Sequence, residues 1–426
     1  MAHHTLKNGY SALAERLNRF PQGAPPSELL FRILRVLFSP REAELVAQLP
    51  IRPFTAERAA AAWKTDVDGA RRTLDELAGR AVLLDWEEAG RTVYVLPPPM
   101  AGFFEFSMMR VRRDIDQKAL AQLYYQYLNE EPDFVRELFA RGRTQLGRAF
   151  VQERALPRDD ALHVLDHERA SWVIESASHI GVGACYCRHK MHHVNRGCEA
   201  PLQICMTFNA TASSLVRHGH ARAVDRVEAL DLLQQAQERN LVQFGENVRQ
   251  QPAFICNCCG CCCEAMIAAR RFAVLNPIHT THFLPVLEDR RACNGCGKCV
   301  AVCPVEAMSL VSANDPSRPR AKRARLDERR CLGCGVCVRA CPSRGVTLAP
   351  REERVLTPLN GAHRAVLMAI ERGKLQNLVF DNQVLWSHRA LAALLGAILR
   401  LGPVQRALAL RQVRSRYLEA LVQRLA

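Results

Sequence analysis

Eighteen cysteines in 426 residues are the chemical resource of this chain, and eight of them follow one repeated spacing. Cys293, Cys296, Cys299 and Cys303, followed by Pro304, are echoed by Cys331, Cys334, Cys337 and Cys341, followed by Pro342. Both runs read C-x2-C-x2-C-x3-C-P, and each cysteine of the second lies 38 residues after its counterpart. Three thiolates at intervals of three residues wrap one turn of chain around three irons of a four-iron, four-sulfur cube, while the fourth faces away toward a neighbouring cube. The spacing therefore predicts two [4Fe-4S] clusters with crossed ligands. One takes Cys293, Cys296, Cys299 and Cys341; the other takes Cys331, Cys334, Cys337 and Cys303. Gly295, Gly297, Gly333 and Gly335 let each loop turn tightly and aim backbone N–H groups at sulfur. Pro304 and Pro342 then end the preceding geometry. Zinc knuckles are the competing reading of C-x2-C, but eight cysteines with both trailing prolines overfit a zinc site.

The other ten cysteines are less regular. Cys185, Cys187, Cys198 and Cys205 stand as C-x-C-R-x9-C-x6-C and are expected to complete a third cluster, with Arg188 supplying charge and hydrogen bonds to thiolate sulfur. Cys256, Cys258, Cys259, Cys261, Cys262 and Cys263 form a burst whose vicinal side chains diverge, so one centre cannot use them all. A further cluster from four of them, an unusual cluster shared with the first group, or a thiol/disulfide relay all remain open. His189, His192 and His193 are candidate ligands or surface residues; His279 and His282 read as ordinary residues ahead of the first repeat.

Around these donors the pattern changes from segment to segment. In the first hundred residues, Ser27 opens a helix carrying Leu29, Leu30, Ile33, Leu34 and Leu37, and Ser39-Pro40 opens another to about Leu49. Thr55 caps a short Ala-rich helix, Asp68 caps the next to about Gly79, and strands over 81–85 and 92–95 flank a turn at Glu88-Ala89-Gly90. Helix-period apolar residues over 108–128, 134–139 and 161–178 predict a helical connector. The insertion between the repeats, Asp315 to Arg330, reads as a surface loop. The end of the chain is helical, with Leu410, Val413, Tyr417, Leu421 and Leu425 on one stripe and Arg406, Arg411 and Arg414 opposite.

Three resemblances follow from these residues. The segment Cys293 to Pro342 resembles the bacterial two-cluster ferredoxins. The C-x-C-R and Cys-Cys-Gly-Cys-Cys-Cys segments, with the repeats behind them, resemble a group of bacterial large ferredoxin-like proteins, over about Val164 to Leu348; the likeness implies electron-transfer or oxidoreductase-accessory work. The three helices and hairpin resemble the winged-helix family, which implies DNA binding through Arg71, Arg72 and Arg80. Against that, residues 1–100 hold 13 Lys and Arg against 12 Asp and Glu, too near neutrality for phosphate binding, so a protein-interaction or structural role is expected there.

The formal charge of +15 falls to about +11 once two clusters and their eight thiolates are counted. The excess lies late: 12 basic against 5 acidic residues over 351–426, and 7 against 3 over 315–330. An acidic protein partner, an anionic membrane face or nucleic acid suits it, as does a plain solvated surface. No run reaches membrane-spanning length, since the stretch Leu391 to Leu401 is bounded by Arg389 and broken by Arg400. So many cysteines without a secretion-type leader point to a reducing, cytoplasmic setting.

The expected architecture is α+β and multidomain: a winged-helix-like domain over 1–100, a helical connector over 101–180, a cysteine-rich region over 181–284, the dicluster domain over 285–350 and a basic helical segment over 351–426. The expected function is single-electron transfer between donor and acceptor proteins, as a carrier or oxidoreductase component more than a stand-alone enzyme. The alternatives are an iron- or redox-sensing regulator acting through the first domain and an oxidoreductase with an unusual cysteine-ligated active site. No nucleotide or flavin fingerprint is present.

Overall fold

The computed structural model describes residues 2–140, 142–156, 164–271, 278–287, 293–352 and 357–380; the basic stripe over 406–425 and the apolar stretch around 391–401 lie outside them. The fold mixes helix and sheet in two compact units. One comprises Met1–Thr144, Ala210–Arg222 and Asn360–Ala426, the other Gln145–Asn209 and Ala223–Leu359, so every cysteine belongs to the second. Among the described residues no helix is long and apolar enough to cross a membrane.

The first unit is built on local capping chemistry. The Ser27 hydroxyl accepts the Leu30 N–H, starting the helix Glu28–Leu37, whose Leu30, Ile33, Leu34 and Leu37 are buried. Ser39 and Glu42 form a capping box for Pro40–Ala47. The helix Val67–Gly79 is capped by Asp66 and not by Asp68: the Asp66 carboxylate accepts the Gly69 N–H at 2.7 Å, leaving Asp68 in the first turn. The hairpin strands are β1 (Leu84–Glu88) and β2 (Arg91–Val95), joined where Ala89 and Gly90 both adopt positive φ. Strand β1 starts later than the expected residue 81. Ala81 is left-handed, and the N–H groups of Val82 and Leu83 still reach back to the Leu77 carbonyl. An additional helix, Ala2–Arg19, precedes these elements and buries Tyr10, Leu13 and Leu17. Arg80 pairs with Glu42 at 2.6 Å and Arg71 with Glu57 at 3.9 Å. Inside the same unit, buried Asp85 accepts from Ser214 at 2.7 Å, Arg217 at 3.0 Å and His218 at 3.0 Å.

The connector is less helical than its apolar period suggests. Within 108–128 the helix begins only at Gln117, running as α-helix to Tyr125 and as π-helix over Gln126–Glu130, because the Gln117 side chain folds the preceding chain around itself, bonding Arg112 N, Ser107 O and Arg110 O. The described part of 161–178 is α-helical only from Ala170 to Ser176; extended Arg169 separates that helix from a single 3-10 turn at Asp166–Glu168.

A six-stranded sheet carries three of the upstream cysteines. Its strands are β3 (Gly147–Ala149), β4 (Ile180–Ala184), β5 (Gln203–Phe208), β6 (Arg222–Ala223), β7 (Val242–Glu246) and β8 (Phe254–Cys258), in the order β3-β7-β8-β5-β4-β6. Helices Ala170–Ser176 and Arg226–Glu238 cover one face, packing Val173, Ile174, Ala229 and Leu233 on Val182, Met206, Phe208 and Ile255. Strand alternation then sends Cys205, Cys256 and Cys258 to the opposite face. Two antiparallel pairs complete the dicluster region: β9 (Phe283–Val286) with β12 (Thr347–Pro350), and β10 (Met308–Ser312) with β11 (Lys322–Leu326). Strand β11 corrects the reading of 315–330 as loop. Its Lys-Arg-Ala-Arg-Leu alternation turns Ala324 inward, opposite Leu310, and its neighbour Arg325 outward, where it is exposed.

Candidate metal centres

In the repeats, short helices Lys298–Ala301 and Val336–Ala340 follow left-handed Gly297 and Gly335. Gly295 and Gly333 are left-handed too, and side chains there would strike backbone: a Cβ would lie 2.4 Å from Lys322 O and 2.1 Å from Phe283 O, respectively. The loops thus bend back under neighbouring strands and leave two cavities. Cys293, Cys296, Cys299 and Cys341 line one, of about 340 Å3 including its mouth. Cys303, Cys331, Cys334 and Cys337 line the other, of about 330 Å3. Each cavity therefore takes three thiols from one repeat and one from the other.

Backbone donors reach the sulfurs. Ala324 N–H lies 3.3 Å from Cys293 Sγ, Ala307 N–H 3.2 Å from Cys303 Sγ, and Gly333 N–H 3.3 Å from Cys331 Sγ. The first of these comes from β11, a donor that reading the insertion as a loop overlooks; the alternation around Ala324 is its only trace in the sequence. The cavities differ in depth. Cys331, Cys334 and Cys337 are all buried, whereas Cys296 is exposed. Burial pushes the Cys331 thiol up to about 11 and Cys334 to about 12, so these thiols keep their protons unless a cation takes their place. At Cys341 burial is outweighed by the Ser343 hydroxyl and nearby backbone N–H groups, which hold the thiol below its ordinary value.

The ten upstream thiols form two sets, divided differently from the sequence grouping. Cys185, Cys187, Cys263, Cys258, Cys256 and Cys205 touch in a closed ring, each against the next, with Cys263 and Cys258 Sγ 3.1 Å apart. Around that ring lowered and raised thiols alternate. Cys205 and Cys258 pull Cys256 down to about 5, and Cys187 and Cys258 pull Cys263 down to about 5, while Cys187, Cys205 and Cys258 rise. Cys198 belongs elsewhere, with Cys259, Cys261 and Cys262. Vicinal Cys258 and Cys259 do part company, but vicinal Cys261 and Cys262 share a set, their sulfurs 3.7 Å apart.

These sets are held by buried charge. Arg188, wholly buried, donates to Pro201 O at 2.6 Å and Asn257 O at 2.7 Å, so these two bonds go to carbonyls and not to the sulfurs the sequence suggested. Burial works against its charge, but Cys185, Cys259, Cys205 and Cys258 around it favour the proton, so it stays cationic. Its Nε–H is buried with no hydrogen-bond partner. Lys190, also wholly buried, is ion-paired with Glu264 of the helix Glu264–Arg271, which follows the burst. His189 and His193 pack on each other, Nε2 to Nε2 at 3.2 Å, and the quartet of donors gathered closely enough for one ion among the described residues contains cysteines alone. His279 accepts the Gln145 N–H through Nε2, and burial lowers its imidazole to about 4.

Residues 292–344 match the 4Fe-4S dicluster domain. No curated protein and no solved structure matches the chain. The dicluster match covers the two repeats; the cysteine-rich region from Cys185 to Cys263 lies outside it. A redox role through iron–sulfur chemistry is thus attached to the 4Fe-4S dicluster domain and its two thiol-lined cavities.

Proposed function

We propose that this protein carries single electrons between two protein partners through [4Fe-4S] clusters, one held by Cys293, Cys296, Cys299 and Cys341 and one by Cys331, Cys334, Cys337 and Cys303. The observation that carries this reading is the pair of cavities, each lined by four cysteines drawn from both repeats. When bound, a cluster supplies a one-electron couple. The chain sets its properties: N–H groups of Ala324, Ala307 and Gly333 withdraw electron density from thiolate sulfur, and the exposed Cys296 side is the natural face for exchange with a partner. The buried six-thiol ring with Arg188 offers donors for a further iron–sulfur cluster, four sufficing for a cube, at whose corners the sulfurs now in contact would stand apart. A cytoplasmic setting and an acidic redox partner fit the free thiols and the basic insertion. Carboxylate pairing of Arg71 and Arg80 weighs against the DNA-binding regulator.

The test is cluster content after Cys341→Ala and Cys303→Ala in anaerobically purified protein. Each should remove the cluster to which the other repeat gives three thiols, about four iron and four sulfide per chain, and abolish one electron-paramagnetic signal. Retention of both clusters in either variant would refute the crossed sets.

A further inference from the structure

We propose that Cys198, Cys259, Cys261 and Cys262 form a mononuclear site for one divalent ion, zinc or ferrous iron, without inorganic sulfide. The four sulfurs all lie within 4.8 Å of one another, with Cys198 to Cys259 and Cys261 to Cys262 both at 3.7 Å. Metal–thiolate bonds of about 2.3 Å in tetrahedral geometry place sulfurs about 3.8 Å apart. Thiolates on the corners of an iron–sulfur cube stand wider, because the iron–iron edge is added to those bonds. The two repeats match the second case, with thiols spread around cavities; this quartet matches the first. Tetrahedral tetrathiolate sites select zinc and iron.

The surroundings suit such an ion. Cys262 is fully buried and Cys261 exposed, giving a held core with an entry path. Binding replaces four thiol protons by one dication, leaving a dianionic centre near the cationic Arg188, whose charge acts on Cys259; no electron changes hands. The site also has a mechanical consequence. Gly260, between two of the ligands, lies against Pro304, where a Cβ would fall 2.7 Å from its carbonyl oxygen and 3.0 Å from its Cα. The ion therefore fixes the loop 259–262 on the residue that follows Cys303. Arg270 reinforces the contact through Glu306 at 3.0 Å.

The inference stands apart from the electron-carrier reading, and its test separates them. Metal and acid-labile sulfide are measured on the full anaerobic chain, wild type, Cys261→Ser and Cys198→Ser. The expected result is loss of one metal equivalent with no loss of sulfide, the absorption of the dicluster domain being unchanged; whether zinc or iron disappears identifies the ion. Because Cys198→Ser risks misfolding, wild-type protein stripped by a mild chelator is also titrated with cobalt(II), and one equivalent should give the intense visible bands of a tetrahedral cobalt thiolate. Iron and sulfide lost together would overturn the proposal in favour of a cluster. Unchanged metal with no cobalt bands would overturn it in favour of free or disulfide-bonded thiols.

Discussion

The two cysteine regions of the second unit assemble their donors in opposite ways. In the repeats, three of every four thiols come from one short loop whose glycines bend it around a cavity, and only Cys341 or Cys303 must arrive from elsewhere. Upstream, the six-thiol ring draws on the end of β4, the first turn of Tyr186–His193, β5, β8 and the loop after it, and its thiols touch. Local loops need little outside support to present their ligands. A ring gathered from five segments exists only while the sheet and its neighbouring helices hold register.

The largest effect should come from the buried ion pair. Lys190→Ala leaves the Glu264 carboxylate buried without its cation and should destabilise the second unit by about 3–5 kcal/mol in anaerobic urea unfolding, while Lys190→Met with Glu264→Leu should recover most of the loss. At sub-denaturing urea the single variant should release metal from the upstream thiols before the dicluster domain bleaches. Simultaneous release would break the contrast between local and tertiary assembly.

Acid provides the next test and a confounder. His220, in the cysteine-free unit, donates through Nε2 to Gly79 O at 3.0 Å, its Nδ1 has no partner, and burial lowers its imidazole to about 4. Its folded value lies below the unfolded one, so protonation favours the unfolded chain. Stability is full above about pH 6.5 and falls as pH drops toward 4, by up to about 3 kcal/mol. Unfolding of wild type and His220→Gln across that window should show the slope only in wild type. Metal loss that persists in the variant can then be assigned to thiolate protonation.

The smallest predicted effect compares the two cavities. Arg351 donates to Cys331 O at 2.9 Å and to Phe283 O at 3.0 Å, and its charge acts on Cys331. Arg351→Gln should lower the reduction potential at the Cys331 cavity by a few tens of millivolts and leave the Cys293 cavity unmoved, as read by potentiometric titration. Equal shifts would mean that the cavities do not sense their surroundings separately.

What was legible in the sequence follows the same divide. The dicluster domain could be read from spacing, because its cysteines are local and its bends need glycine at fixed offsets. The caps at Ser27 and Ser39 were legible for the same reason. The six-stranded sheet was not: cysteines at 205, 256 and 258 occupy the positions where alternation would otherwise display apolar residues, and β3 and β6 are too short to show a period. Nor could sequence distance place Cys198 with the burst, because the strands between them decide which sulfurs meet. The extended stretch at Arg169 carries no turn residue and was equally hidden.

The hairpin β10–β11 sets a rule for altering this protein. Only Ala324, opposite Leu310, must keep its place, since its N–H serves Cys293. Changes in the length of the tip, residues 313–321, leave that register alone. A single-residue slip within β11 would instead turn Arg323 or Arg325 inward against the sulfur. The tip is therefore a handle: a tether to an electrode or a fluorophore could be grafted there, on the hairpin whose Leu310 and Ala324 line the shallower cavity, without editing a cysteine.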